Sequence, residues 1–286
     1  MSRSIATELA QLTQRFEAAG IDSARADAEL LIAYVLDISR GAVQAQALVG
    51  GELSNEQSET LDALAARRAA REPLQHLTGV AYFRQLELSV GRGVFVPRPE
   101  TESLAQLAID ALIAAPTDKP IGIDLGTGSG AIALSMAVEV PRAKIYAVEK
   151  SIDAFPFTRK NFESYEYTGA ELRLGDLSDE YTELDGTVDV VASNPPYIPL
   201  AAVPRDPEVR DFDPDLALYG GEDGMTVIRL VSSTAWRLLK PGGYLVIEHA
   251  DQQGEQVRGL LLADGWRDVR QHQDLTGRDR SVSAIK

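Results

Sequence analysis

Apolar residues in the first part of the chain recur at helical spacing. Ile5, Leu9, Leu12 and Phe16 fall on one face, and Gly20 follows as a stop signal. Asp22 or Ser23 can cap the next segment, where Ala26, Leu30, Ala33, Val35 and Leu36 form an apolar stripe. Ser54 and Gln57 have the spacing of a capping box ahead of Leu61 and Leu64. These segments predict a small helical bundle over 1–72. The pattern changes between Pro73 and Pro99. Tyr82, Phe83, Leu86, Leu88 and Val90, punctuated by Gly79, Gly91 and Gly93, predict two short strands, read as a hairpin linker over 73–95. From about Glu100 strands alternate with helices: a helix over 102–114, a strand over 121–125, a helix over 129–138 and a strand over 144–148. A helix carrying Phe155 and Phe157 follows, then strands over 171–174 and 188–192. A long amphipathic helix over 224–239, a strand over 244–247, a last helix and a final strand pair near 266–269 and 281–285 close the chain. The alternation predicts a parallel, doubly wound α/β sheet over 96–286.

Two strand ends carry candidate chemistry. Asp124-Leu125-Gly126-Thr127-Gly128-Ser129-Gly130 follows a strand and opens a helix. Glycines there let the backbone turn sharply and approach a ligand, and the helix N-terminus offers N–H groups and partial positive charge. Glu149 ends the next strand, where a carboxylate can accept hydrogen bonds from both hydroxyls of a ribose. Gly126, Gly128 and Ala131 also satisfy the dinucleotide fingerprint, so a nicotinamide-type cofactor stays open on this loop alone. Asp124 sits badly for a pyrophosphate and well for a cofactor bearing an amino group and a sulfonium. Asp176, ending the third strand, can accept from an adenine amino group, and Leu177 offers the ring an apolar contact.

Ser193-Asn194-Pro195-Pro196-Tyr197 follows the fourth strand, at the sheet end where this fold class binds ligands. An amide nitrogen is a poor nucleophile because its lone pair is delocalised into the carbonyl. Acceptors on both of its N–H groups would hold it and favour the loss of planarity that frees the lone pair. The Asn194 side-chain oxygen can be one acceptor and the Pro195 carbonyl the other. Consecutive prolines restrict φ and hold that carbonyl in place beforehand. Tyr197 supplies a flat face for a planar amide or base. A nitrogen once methylated is cationic and loses its proton readily, so positioning and electrostatics suffice.

Composition narrows the alternatives. The 286-residue chain is 44% apolar and 25% charged, ordinary values for a globular protein, and is long enough for a large domain plus a small one. With no cysteine, thiolate metal sites and cysteine nucleophiles are excluded. His76, His249 and His272 lie too far apart in sequence to suggest a metal cluster, so no metal is expected. Asp211, Asp213 and Asp215 lack the downstream bidentate acid of a calcium loop. A formal net charge of −15 disfavours direct nucleic-acid binding, which draws its affinity from phosphate neutralisation. Residues 1–10 carry Arg3 and Glu8 without an apolar run, and no apolar stretch approaches the roughly 18 residues of a membrane span. A cytoplasmic location, no membrane and a monomer are expected.

The glycine loop and the Asn-Pro-Pro-Tyr loop, in this order, resemble the HemK/PrmC family of release-factor glutamine methyltransferases. Pro73–Gly79, Phe95-Val96-Pro97-Arg98-Pro99-Glu100-Thr101-Glu102 and Leu216–Gly224 also look like family signatures, and the resemblance covers essentially the whole chain. It implies a Rossmann-like class I fold with a mostly parallel seven-stranded sheet, and a helical substrate-recognition domain joined by a β-hairpin. It implies S-adenosylmethionine as methyl donor, S-adenosylhomocysteine as product, and the glutamine of the Gly-Gly-Gln motif of peptide chain release factors as acceptor. By the family pattern Gly126, Thr127, Gly128, Ser129, Gly130, Glu149 and Asn194 contact the cofactor and Leu177 occupies a cofactor-contact position; Asp124 and Asp176 join the expected cofactor site on the residue-level argument above. Asn194, Pro195, Pro196 and Tyr197 hold the substrate, with Asn194, Pro195 and Tyr197 catalytic. Glu149 stands where an aspartate is common, and Leu177 where some relatives carry an aromatic ring. Pro156 falls near the first turn of its helix, where proline is tolerated.

Some residues and rival functions are less decided by sequence. Arg98 and Glu100 shape the active-site mouth or form an interdomain ion pair. His249 reads as packed or surface, and the pair Arg67-Arg68 as a solvated helix face. The rivals are a ribosomal-protein glutamine methyltransferase, an adenine amino methyltransferase stacking a flipped base on Tyr197, and a non-catalytic cofactor-binding or scaffold protein.

Overall fold

The computed structural model describes residues 3–286. The chain forms two compact units. One runs up to Gly79 and takes in Pro204–Phe212; the other comprises Val80–Val203 and Asp213–Lys286.

In the first unit, β1 (Arg3–Ser4) precedes α1 (Ile5–Ala18), α2 (Ala24–Leu36) and α3 (Arg40–Val49); β2 (Glu52–Leu53) pairs antiparallel with β1 and leads into α4 (Asn55–Ala69) and α5 (Leu74–Thr78). The predicted faces of α1 and α4 meet in one core, with Ile5, Phe16 and Leu61 fully buried; α2 turns Ala24, Ala28, Leu31, Ile32 and Ala33 inward instead of most of the predicted stripe, of which Leu30, Val35 and Leu36 are only partly buried and Ala26 takes no part in the core. The capping box forms: the Gln57 backbone N–H donates to Ser54 Oγ (3.2 Å), and the Ser54 N–H to Gln57 Oε1 (2.9 Å). Ser23 precedes α2 without capping it; its hydroxyl donates to Asp27 Oδ1 instead.

A further expectation fails in this unit. Arg67 is half-exposed and pairs with Glu72, but Arg68 is buried. Its Nε donates to Asp27 Oδ2 (2.7 Å) and its Nη1 to Glu208 Oε1 (2.9 Å). Arg71 Nε donates to the same Glu208 oxygen (2.8 Å). Glu208 arrives from a distant part of the chain, so local periodicity could not reveal that Arg68 has inward partners. Residues 73–95, read as one linker, also divide: α5 packs with the helices, whereas the hairpin β3 (Val80–Phe83) and β4 (Leu86–Ser89) buries Phe83, Leu86 and Leu88 in the second unit.

The second unit continues with α6 (Thr101–Ala114), β5 (Ile121–Leu125), α7 (Ala131–Glu139), β6 (Lys144–Glu149), α8 (Phe155–Ser164), β7 (Glu171–Leu174) and β8 (Val188–Ser193). After β8 the chain enters the first unit through α9 (Pro207–Phe212). It returns with α10 (Asp215–Leu218), α11 (Thr226–Leu238), β9 (Leu239–Glu248), α12 (Gly254–Ala263), β10 (Arg267–Gln273) and β11 (Asp279–Ile285). The seven strands order as β10-β11-β9-β8-β5-β6-β7. The pairings from β9 to β7 are parallel, and β11 runs antiparallel to both its neighbours. Helices cover both faces. Leu104, Leu112, Leu134 and Met136 pack on one, and Ile228, Val231, Leu238 and Leu261 on the other. Strands covered on both sides read as nearly continuous apolar runs, as Val190–Ala192 in the fully buried β8 does. Strand order reverses between β5 and β8, and their carboxyl ends open a crevice where such sheets bind ligands. No helix among the described residues is long and apolar enough to cross a membrane.

Candidate active site

The glycine loop leaves β5 and bends back on β6: the N–H groups of Gly126 and Thr127 both donate to the Val148 carbonyl (3.0 and 2.9 Å). Gly126 and Gly128 take left-handed φ values of 75° and 57°, and a Cβ on either would meet nothing within 4 Å. Their open side is the surface a ligand can approach closely. Gly130 faces the other way, against the Phe162 ring.

The acids around this loop are engaged with backbone. Asp124 is fully buried, and its Oδ2 accepts from Thr127 Oγ1 (2.6 Å) and the Ala133 N–H (3.1 Å). It thereby caps the start of α7 from inside, using an N–H expected to be free for ligand. Its Oδ1 is buried with no hydrogen-bond partner among the described residues. Burial pushes this carboxyl up to about 7, against the pull of Thr127 and Ala133. Glu149 accepts from the Gly128 N–H through Oε2 (2.8 Å) and from the Ser151 N–H through Oε1 (2.7 Å). Its burial raises the pKa and the backbone donors lower it. Each oxygen keeps a lone pair for a further donor. Thr127 and Ser129 turn their side chains inward and are buried. Asp176, beyond β7, pairs with Lys150 Nζ (2.7 Å) and accepts from Ser178, which hold it down at about 2. Leu177 is half-buried against the apolar cluster of Tyr181 and Val188.

The second loop is tied to the first at its root. Ser193 Oγ donates to the Leu125 carbonyl (2.6 Å), locking the end of β8 to the end of β5. Asn194, next in sequence, is therefore held beside the glycine loop. Its Nδ2 donates to Thr101 Oγ1 (3.3 Å). Pro195 is buried; Pro196 and Tyr197 are half-buried, with Tyr197 packed against the apolar cluster of α11 and α12. Burial, the neighbouring Glu248 and Glu100 raise the Tyr197 pKa, and Arg280 opposes them.

Two segments brace this loop from behind. Gln253 Nε2 donates to the Tyr197 carbonyl (2.9 Å). The Ile198 N–H donates to the Leu218 carbonyl, and the Gly220 N–H to that of Ile198. A Cβ on Gly220 would lie 2.5 Å from the Pro196 carbonyl oxygen, and one on Gly224 2.3 Å from that of Tyr197. The Leu216–Gly224 signature is thus a backing plate that only glycine lets come so close. Glu248, at the end of β9, is buried beside the Thr101 hydroxyl and the Asn194 amide, with Arg280 and Glu100 nearby. Burial pushes it up to about 7; Thr101, Arg280 and Asn194 pull down and Glu100 pushes up.

Thr101, Glu248 and Gln253 were not singled out from sequence as part of the site. Glu248 had one signal: an acid directly after the apolar run Tyr244–Ile247. Arg98 pairs with Asp213 (2.6 Å) and lies over the Phe95 ring, so its ion pair falls inside the α/β unit and is not interdomain. His249 is fully buried, with Nδ1 on the Ala250 carbonyl and Nε2 on Gln271, a packed rather than surface histidine.

Comparison with known proteins agrees with these features. Residues 8–79 match a family described as the PrmC N-terminal domain, and residues 118–285 one described as a methyltransferase domain. A release factor glutamine methyltransferase of Streptomyces coelicolor is 51% identical over 98% of this chain and 97% of its own length. That of Bifidobacterium longum is 42% identical over 96% and 97%. A 4-amino-L-phenylalanine/4-methylamino-L-phenylalanine methyltransferase of Streptomyces pristinaespiralis is 38% identical over 91% of this chain and 88% of its own.

Proposed function

The chain belongs to the release factor glutamine methyltransferase family, and from that premise we propose that it methylates the side-chain amide nitrogen of the Gly-Gly-Gln glutamine in peptide chain release factors, with S-adenosylmethionine as donor. The observation that carries this reading is the Ser193–Leu125 hydrogen bond, which ties the root of the Asn194–Tyr197 loop to the strand end from which the glycine loop leaves. The residues present suit the donor. The free faces of Gly126 and Gly128 accept close approach, Glu149 has lone pairs for ribose hydroxyls, and Asp124 keeps a buried oxygen without a donor. Asp176 and Leu177 are assigned to the adenine end. When bound, the donor supplies an electrophilic methyl group on a sulfonium.

The chain's own part is to hold and reshape the acceptor. Asn194 Nδ2 is engaged by Thr101, which leaves Oδ1 for one amide hydrogen of the substrate. The Pro195 carbonyl takes the other. Both acceptors lie on a loop braced by Gln253 and the Leu216–Gly224 segment, so they do not rearrange when substrate arrives. Gripping both hydrogens favours the pyramidal nitrogen, whose lone pair is free, over the planar one. The Tyr197 ring is assigned to the substrate side. The methylated nitrogen sheds its extra proton to water, so no strong base is required. The helical part, residues 1–72, is assigned to gripping the release factor away from its glutamine tip. Removing residues 1–70 should raise KM for the whole factor far more than for a short Gly-Gly-Gln peptide.

The test is transfer of labelled methyl from S-adenosylmethionine to purified release factor, with ribosomal protein, duplex DNA and 4-amino-L-phenylalanine as rival acceptors. Label on release factor alone, lost when its glutamine is changed, supports the reading. Label on a rival and none on release factor overturns it. Asn194→Ala should abolish transfer while the fold survives.

A further inference from the structure

We infer that Glu248 and Thr101 are positioning residues that fix which way the Asn194 amide points, so that its oxygen and not its nitrogen faces the substrate. The inference rests on the proposed function for the identity of the acceptor, but not for the geometry.

An asparagine side chain is nearly symmetric in shape, and its oxygen and nitrogen exchange places by a flip about the last torsion. For gripping an amide N–H only one orientation works. A flipped Asn194 would present an NH2 group to the substrate NH2 group, donor against donor. Something inside the protein must therefore distinguish the two ends. Asn194 Nδ2 donates to Thr101 Oγ1 (3.3 Å), and Thr101 is buried at the first position of α6. A hydroxyl that accepts from Asn194 has its own proton free to donate, and the Glu248 carboxyl lies beside both groups. Glu248 is fully buried, and its Oε2 has no hydrogen-bond partner among the described residues. The enzyme side of Asn194 is thus lined by acceptors. With Glu248 ionised, the amide nitrogen is drawn inward and the amide oxygen is repelled toward the cleft.

Protonation reverses the preference. A neutral Glu248 carries an O–H that can donate to Asn194 Oδ1, which makes the flipped, unproductive orientation accessible. The titratable and charged groups around Glu248 are Glu100 ahead of α6, Tyr197 on the loop after β8, Arg280 on β11 and its neighbour His249 on β9. Arg280 favours the carboxylate, while Glu100 and burial oppose it, and these opposing effects leave Glu248 near 7. Turnover should then rise with pH through that region, because the working form is the charged one.

The test combines kinetics with a readout that needs no acceptor. Glu248→Gln keeps shape and removes the charge. It should lower kcat by about tenfold to a hundredfold, the worth of a hydrogen bond to a charged group, with the KM for S-adenosylmethionine unchanged and the acid limb gone. Thr101→Val should lower kcat in the same way, and Thr101→Ser should restore it. In the free enzyme, the Asn194 Nδ2 hydrogens are assigned by nuclear magnetic resonance from their loss in Asn194→Ser. They should shift with pH in the wild type, with a midpoint near 7, and not in Glu248→Gln. An Asn194 signal that does not titrate, or a Thr101→Val enzyme with wild-type kcat, overturns the inference. Failure of the wild type to methylate release factor would instead overturn the proposed function, and the resonance experiment would still decide the orientation.

Discussion

Gly224→Ala is a small change with a calculable result. Gly224 sits at φ 74°, and a Cβ built there lies 2.3 Å from the Tyr197 carbonyl oxygen and 2.8 Å from Gln253 Nε2. Real Cβ contacts essentially never fall under 3.0 Å, so the Tyr197 carbonyl must retreat by about 0.7 Å or more. That movement breaks the 2.9 Å bond from Gln253 and carries the loop that presents the Pro195 carbonyl. The left-handed conformation costs about 1–2 kcal/mol for a residue with a Cβ, and the lost hydrogen bond about 1 kcal/mol more. The expected loss of stability is therefore about 2–3 kcal/mol, read as a lower urea midpoint. A displacement approaching 1 Å at a reacting centre lowers turnover on the order of 100-fold. The KM for S-adenosylmethionine should hold, because the glycine loop is untouched. Gly242→Ala is the control: its φ is 81°, but a Cβ there meets nothing within 4 Å. It should show the strain alone, about 1–2 kcal/mol, with normal turnover. If Gly224→Ala turns over like Gly242→Ala, the backing-plate account of Leu216–Gly224 is wrong.

Other perturbations follow from the same geometry. Glu149→Ala should weaken S-adenosylmethionine binding in calorimetry, and an unchanged affinity would remove the ribose contact from the assignment. Arg68→Ala leaves buried Asp27 without a cation, while Glu208 keeps Arg71. It should cost about 3–5 kcal/mol in urea unfolding, whereas a loss under about 1 kcal/mol is what a surface pair would give. Asp124 stands near 7 in the folded protein against an ordinary 3.8, so between those values the unfolded state holds fewer protons and stability falls as pH rises. Glu248 acts with the same sign. Asp124→Asn should therefore flatten the decline in urea midpoint between about pH 4 and pH 7, and an unaltered slope would mean that Asp124 titrates normally.

Sequence alone determined what depends on neighbours along the chain. The helical faces of 5–18 and 55–69, the hairpin at 80–89 and the alternation from 101 onward were legible because the 3.6 and 2.0 periods and the glycine stops are local properties; α3, with Val43 as its one buried residue, gives no such pattern. The two ligand loops were legible for the same reason: each is a contiguous run at a strand end. Tertiary structure decided what those runs touch. Arg68 read as a surface charge because Glu208, which helps bury it, is 140 residues away. Asp124 read as a ligand group, and only the packed fold shows its Oδ2 turned to Thr127 and Ala133. Thr101, Glu248 and Gln253 lie on three separate segments and converge on the Asn194–Tyr197 loop only because β9 pairs with β8 and α6 starts alongside them. A pattern along one strand records which side is buried. The chemical identity of the partner on that side exists only once the sheet has closed and distant groups share one small, water-poor space.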